Sequence, residues 1–245
     1  MMPITNSFSK VNPKDTRSGY AVTPGARRTL ESTKEHHVAS RELDWKFTES
    51  YIAERDDIAV LRQHSAELGI DAVSAATGAH LAFMAAALKP SNIIEIGTGL
   101  GVSGLWLMSG APAASFTSID SEADYQQVAK SALVEAGVPV NKVRLITGPA
   151  STVLPRMNES DYDLVFVDAD PESVLENVEY GIRLAKVGGT IIVAHALWRG
   201  RVADPAQRDE PVPALRTLLA SLAESSTVTA ALSPVGDGLL QLVKK

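Results

Sequence analysis

The sequence predicts an α/β fold, a doubly wound and mostly parallel sheet finished by an antiparallel hairpin. Three observations carry this. Short β-rich runs alternate with helical stretches between residues 92 and 195, a glycine cluster (Gly97, Gly99, Gly101, Gly104) follows the first run, and "SPVGDG" joins two β-rich runs near the C-terminus. Alternation at this spacing implies parallel strands with right-handed helical crossovers, and a short turn between strands implies antiparallel pairing.

Taken in order, the pattern is helical from Asp44, with Phe47, Tyr51, Ile52, Ile58, Leu61 and Leu68 at near-helical spacing among acids. A second, alanine-rich helix over 74–88 stops before Pro90. Strands are predicted over 92–96, 115–120, 143–147, 163–168 and 189–195, where β-branched and aromatic residues concentrate. Helices are predicted between them over 102–108, 123–135, 152–157 and 172–185, the last ended by the "KVGG" turn, with a further helix over 213–223. The closing runs, 227–232 and 239–243, form the hairpin.

A chain of 245 residues suits one large α/β domain with an extension. Net charge is −6, unevenly spread: residues 1–41 hold seven basic against three acidic side chains, and the remainder 16 against 26. Residues 1–43 therefore read as a basic, partly disordered leader before a domain over 44–245. Such a leader is solvated, or contacts nucleic acid or another acidic surface. With no cysteine, the chain has neither disulfides nor thiolate chemistry. No apolar run approaches a membrane span, and the first 30 residues lack a signal-peptide block, so a cytoplasmic protein with no membrane partner is expected.

Two cofactor readings compete for "NIIEIGTGLGVSG". Taken from Gly99, it contains a G-x-G-x-x-G dinucleotide fingerprint; taken from Glu95, "EIGTG" suits S-adenosylmethionine (SAM). Glycines at the end of a first strand let the backbone turn sharply and approach a ligand in either case. Glu95 favours SAM, because an acid beside the loop attracts the cationic methionine amine and repels pyrophosphate. The register agrees, since the tight turn belongs at Gly97, where the strand stops. Asp120, ending the second strand, is placed to bind a ribose diol, which both cofactors possess.

From about Val73 to the C-terminus, "TGAHLAFMAAALKPSNIIEIGTGLGVSGLWL", "FTSID", "YDLVFVDAD", "KVGGTIIV", "LWRGRVADP" and "PVGDGLL" together resemble the cation-dependent O-methyltransferase family that includes catechol and caffeoyl-CoA O-methyltransferases. The stretch before residue 45 has no counterpart. The resemblance implies a seven-stranded sheet with the hairpin, SAM at the carboxyl ends of the first strands, and a homodimer. By position, Glu95, Gly97, Gly99 and Ser103 fall on residues that hold the methionine part, with Thr98 and Gly101 in the same loop and Val73 offering a backbone contact. Asp120 falls on the ribose acid, Ala150 and Ser151 on the adenine-binding turn, and Asp168 beside the donor methyl.

The acceptor half departs from that family. Its members hold a divalent metal through the first Asp of "DAD" and an adjacent Asp and Asn after the fifth strand. Here Ala194 and His195 occupy the latter two places, and Pro171 replaces the lysine thought to act as base. One carboxylate and one imidazole make a poor magnesium site, although part of a softer zinc or manganese site stays open, so metal-independent transfer is expected. Three readings of His195 remain: general base, metal ligand, or structural hydrogen-bonding residue. His36, His37, His64 and His80 read as surface or packing residues. Trp198, Arg199 and Arg201 lie where the family's substrate loop lies; the arginines bind an acidic acceptor or pair with Asp204, Asp209 and Glu210. The expected activity is SAM-dependent methyl transfer to an oxygen of a small acceptor, phenols among the candidates. The alternatives are a tRNA methyltransferase and a SAM-binding protein that has lost catalysis.

Overall fold

The computed structural model describes residues 42–245. Contacts divide the chain into two compact units after Trp45, and the larger, Lys46–Lys245, is treated by itself. Nearly all of the expected leader, with His36 and His37, lies outside the described residues.

The chain is helical through residue 51, breaks, and resumes as α1 (Asp56–Glu67), whose first turn carries Asp56 and Asp57. The helical pattern that begins at Asp44 is therefore two helices, separated by residues 52–55. Only Ile58 and Leu61 of its six apolar residues are buried, while Phe47, Tyr51, Ile52 and Leu68 are exposed. Helix α2 (Ala75–Leu88) starts at Ser74, whose hydroxyl accepts the Thr77 N–H, and ends at left-handed Lys89.

The sheet follows: β1 (Asn92–Ile96), α3 (Val102–Gly110), β2 (Ser115–Asp120), α4 (Ala123–Glu135), β3 (Val143–Thr147), α5 (Ala150–Val153), β4 (Tyr162–Val167), α6 (Val174–Leu184), β5 (Ala185–Val193), α7 (Val212–Ala223), β6 (Val228–Ser233) and β7 (Leu239–Lys244). The order is β3-β2-β1-β4-β5-β7-β6, parallel through β5 and antiparallel in the β5–β7 and β6–β7 pairs. The predicted architecture is the observed one. Central strands are apolar on both faces because helices cover both: Ile93, Phe116 and Phe166 meet α1, α2 and α3, and Ile94, Val165 and Ile191 meet α6 and α7.

Several boundaries differ from the predicted ones. Pro155 ends α5 early, and a 3₁₀ turn, Leu154–Arg156, completes the helix expected over 152–157. The chain enters α6 through another 3₁₀ turn, Pro171–Ser173, after the Asp170 carboxylate caps the Glu172 N–H. The "KVGG" segment is no turn. It belongs to β5, and the pairing with β4 shifts register between Tyr162 and Leu164 to absorb it. Both Asp168 and His195 lie just beyond their strands, where the chain leaves the sheet and side chains are free to face a ligand.

Candidate active site

The glycine loop is explained by what surrounds it. Gly97 has φ +99°, and a Cβ there would sit 1.9 Å from the Asp168 carbonyl oxygen. The exits of β1 and β4 are therefore in backbone contact, which only glycine permits. Gly101, φ +96°, opens α3, and its N–H closes the turn onto the Thr98 carbonyl at 2.9 Å. The Asp120 carboxylate knits this loop to β2: one oxygen accepts the N–H groups of Thr98 (2.9 Å) and Gly99 (2.8 Å), the other that of Glu122 (2.9 Å). A carboxylate has about four acceptor positions, so one remains for a ligand hydroxyl.

Glu95 is wholly buried beneath the loop, between Ser118 on β2 and Phe166 on β4. The hydroxyls of Ser103 (2.6 Å) and Ser118 (2.5 Å) donate to its two oxygens. Burial pushes its carboxyl up to about 8, against the lowering effect of both serines, with the Asp168 and Asp120 charges adding to the rise. At neutral pH Glu95 is thus mostly protonated. The fixed negative charge expected from the sequence becomes a charge that a cationic ligand can draw out.

A cavity of about 620 Å³ opens over the carboxyl ends of β1, β2, β3, β4 and β5, where the strand order reverses between β1 and β4. Of the residues singled out in the sequence, Val73, Gly97, Thr98, Gly99, Ser103, Asp120, Ala150, Ser151, Asp168 and His195 line it. Glu95 and Gly101 do not; each supports the loop from behind.

At the β4–β5 end, His195 sits in the left-handed region (φ 55°) with its ring between two carboxylates. Nε2 lies 3.3 Å from Asp168 Oδ1 and Nδ1 lies 3.4 Å from Asp237 Oδ2. Nε2 and Asp237 Oδ2 have no aligned hydrogen-bond partner, so these contacts act chiefly as charge pairs. Burial opposes the charged ring, but the Asp168 carboxylate, aided by Asp71 and Asp237, outweighs it and lifts His195 to about 9. His195 is an imidazolium at neutral pH.

Asp237 was not identified from the sequence. Its signal was "VGDG", read only as a turn. That turn docks on the loop after β5: the N–H groups of Ala196 and Leu197 donate to the Gly238 and Asp237 carbonyls at 3.0 Å, and the Arg199 N–H donates to the Asp237 carboxylate. The arginines are also placed differently. Arg201 pairs with Asp209 as one reading expected, whereas Arg199 pairs with Asp71, across the loop before α2. His64 is exposed, and His80 packs beside Phe83 with Nε2 3.4 Å from Gln241 Oε1.

A model of the O-methyltransferase family matches residues 48–245. The chain belongs to the O-methyltransferase family. It is 43% identical over 197 residues to a Mycobacterium marinum protein named for that activity, covering 80% of this chain and 88% of the relative. A Mycobacterium tuberculosis relative is 41% identical over 201 residues, with 82% and 90% covered. Among solved structures, the O-methyltransferase TomG of Streptomyces achromogenes, involved in tomaymycin synthesis and solved in complex with SAM, is 28% identical with TM-score 0.73, covering 83% of this chain and 96% of that one. A Corynebacterium glutamicum protein reaches TM-score 0.76 at 28% identity, covering 84% and 97%. Among the described residues of this O-methyltransferase, no helix is long and apolar enough to cross a membrane.

Proposed function

We propose that residues 44–245 form a domain that takes a methyl group from SAM and passes it to an oxygen of a small acceptor, phenols among the candidates, without a metal ion. One observation carries this: a single cavity joins the glycine loop and Asp120 to Asp168 and His195. Asp120 takes the ribose diol, Ala150 and Ser151 border the adenine, and Ser103 and the Gly97–Gly99 backbone border the methionine part. Its ammonium group lies over the loop that Glu95 supports, and its positive charge favours ionisation of Glu95, whose proton is released to water.

The acceptor oxygen attacks the methyl carbon, the carbon–sulfur bond breaks toward S-adenosylhomocysteine (SAH) with its electron pair on sulfur, and the hydroxyl proton is released to water. Alignment supplies most of the rate, because the sulfonium is already activated. With His195 cationic, its role is electrostatic: it draws electron density onto the acceptor oxygen beside Asp168 and holds it in line. The carboxylate of Asp168 orients the hydroxyl. Asp237 positions His195.

The divalent metal implied by the family resemblance does not suit these residues. Ala194 offers a methyl group, the His195 ring nitrogens face carboxylates, and among the described residues no three acidic or imidazole groups converge on one point. A tRNA substrate is disfavoured by the lining, which bears Asp71, Asp120, Glu122, Asp168, Asp170 and Glu176, with His195 its one cationic side chain among the described residues.

Calorimetry with SAH and NADH tests the cofactor: micromolar SAH binding without NADH binding is expected, and the reverse refutes the reading. A methyl-transfer screen of phenols, catechols and bulk tRNA tests the acceptor. Transfer to none of them despite SAH binding points to the catalytically silent alternative. A homodimer is part of the proposal, since the aromatic side chains of Phe47, Tyr51 and Phe83 are well exposed; monomeric full-length protein in light scattering would refute it.

A further inference from the structure

Helix α6 buries Val174, Val178, Gly181 and Leu184, the i, i+4, i+7 and i+10 positions of one apolar stripe facing β4 and β5. Residue 177, at i+3, belongs to that stripe, and the pattern calls for an apolar side chain there. It is Asn177. The residue is 2% exposed and its Nδ2 has no hydrogen-bond partner. Asparagine is also a poor helix former, so neither the helix nor the core accounts for it.

Asn177 lines the cavity. Helix α6 packs against α5, whose first residues, Ala150 and Ser151, line the same cavity beside Gly148 and Pro149. The buried amide therefore sits on the helix that contacts the turn assigned above to adenine, and its neighbour Glu176, also in the lining, is exposed. A carboxamide is matched to one edge of adenine: its oxygen accepts from the exocyclic 6-amino group while its N–H donates to the adjacent ring nitrogen.

We propose that Asn177 is the residue that reads the adenine base of the cofactor, pairing its amide with the 6-amino edge. This rests on the SAM reading above and extends it to a specificity determinant. A ligand carrying a purine with the 6-amino group then satisfies a donor that otherwise stays unpaired in the interior. Binding and folding place opposite demands on this position: an apolar residue would suit the helix, and the amide suits the ligand.

The test uses the full chain with SAH and its 6-deamino analogue as calorimetric probes, in wild type, Asn177→Ala and Asn177→Leu. SAH affinity is expected to fall by roughly tenfold to a hundredfold in both variants, and the wild-type preference for SAH over the deamino analogue to collapse. The melting temperature without ligand should be unchanged or higher in Asn177→Leu, which separates lost recognition from misfolding. Unchanged SAH affinity, or an undiminished preference for the 6-amino group, overturns the assignment. A variant that binds SAH as wild type but shows a raised acceptor KM moves Asn177 to the acceptor and equally overturns it. If wild type binds no SAH at all, the cofactor reading itself has failed.

Discussion

Replacing Asp168 by asparagine tests the charge of His195 directly. The ring titrates at about 9 rather than 6.5. At ~1.4 kcal/mol per unit this is about 3 kcal/mol of net preference for the imidazolium, achieved although burial works against it. Asp168 makes the largest raising contribution, through a carboxylate 3.3 Å from Nε2, and Asp71 and Asp237 contribute less. In Asp168→Asn the His195 pKa should fall by at least about one unit, because burial is then opposed by the weaker pair alone. An NMR titration of the imidazole protons reads it, with the His195 signal assigned by its loss in His195→Gln. The sign of the stability effect follows. A raised imidazole pKa adds stability that is fully present below 6.5 and is lost as pH rises through about 9, so the wild-type advantage over the variant should be widest below 6.5 and narrow toward 9. Activity follows the same group: kcat/KM should hold through neutral pH and decline near 9, whereas a general base would lose activity below about 6 to 7. A wild-type ring that titrates near 6.5, or one indifferent to Asp168→Asn, would refute the reasoning.

Asp120→Ala should weaken SAH by about 1–3 kcal/mol in calorimetry, since it removes the proposed ribose contact and releases the Thr98 and Gly99 N–H groups together; unchanged affinity moves the ribose elsewhere. Gly97→Ala should cost about 1–3 kcal/mol or more in thermal unfolding and displace Asp168, because the added methyl meets its carbonyl at 1.9 Å; a variant of wild-type stability and activity contradicts that close approach. Methyl transfer should be insensitive to chelator and unstimulated by magnesium, and an activity lost to chelator and restored by a divalent ion overturns the metal-free mechanism. His195→Ala should lower kcat/KM by ~10² to 10³ with SAH affinity nearly unchanged, and a fully active variant removes the ring from catalysis.

The sequence by itself determined the sheet, its crossovers and the glycine loop after β1, because these rest on signals within about ten residues: β-branched runs, helical periods and glycines at a strand end. It located Glu95, Asp120, Asp168 and His195, but their charge states and partners belong to the tertiary structure. Glu95 is read from the chain as an anion, and becomes mostly neutral only because β2 and β4 enclose it. His195 carries an ordinary imidazole until the turn before β7 brings Asp237, 42 positions along the chain, against one side and β4 brings Asp168 against the other. Arg199 was within reach of several acids in its own loop, and folding selects Asp71 from a distant one. Asn177 looks like any polar residue of an amphipathic helix, and only the packing of α6 shows its amide enclosed and unpaired. The physical reason is common to all four: periodicity is written locally, whereas burial and electrostatic pairing are set by residues far apart in the chain that the sheet order brings together.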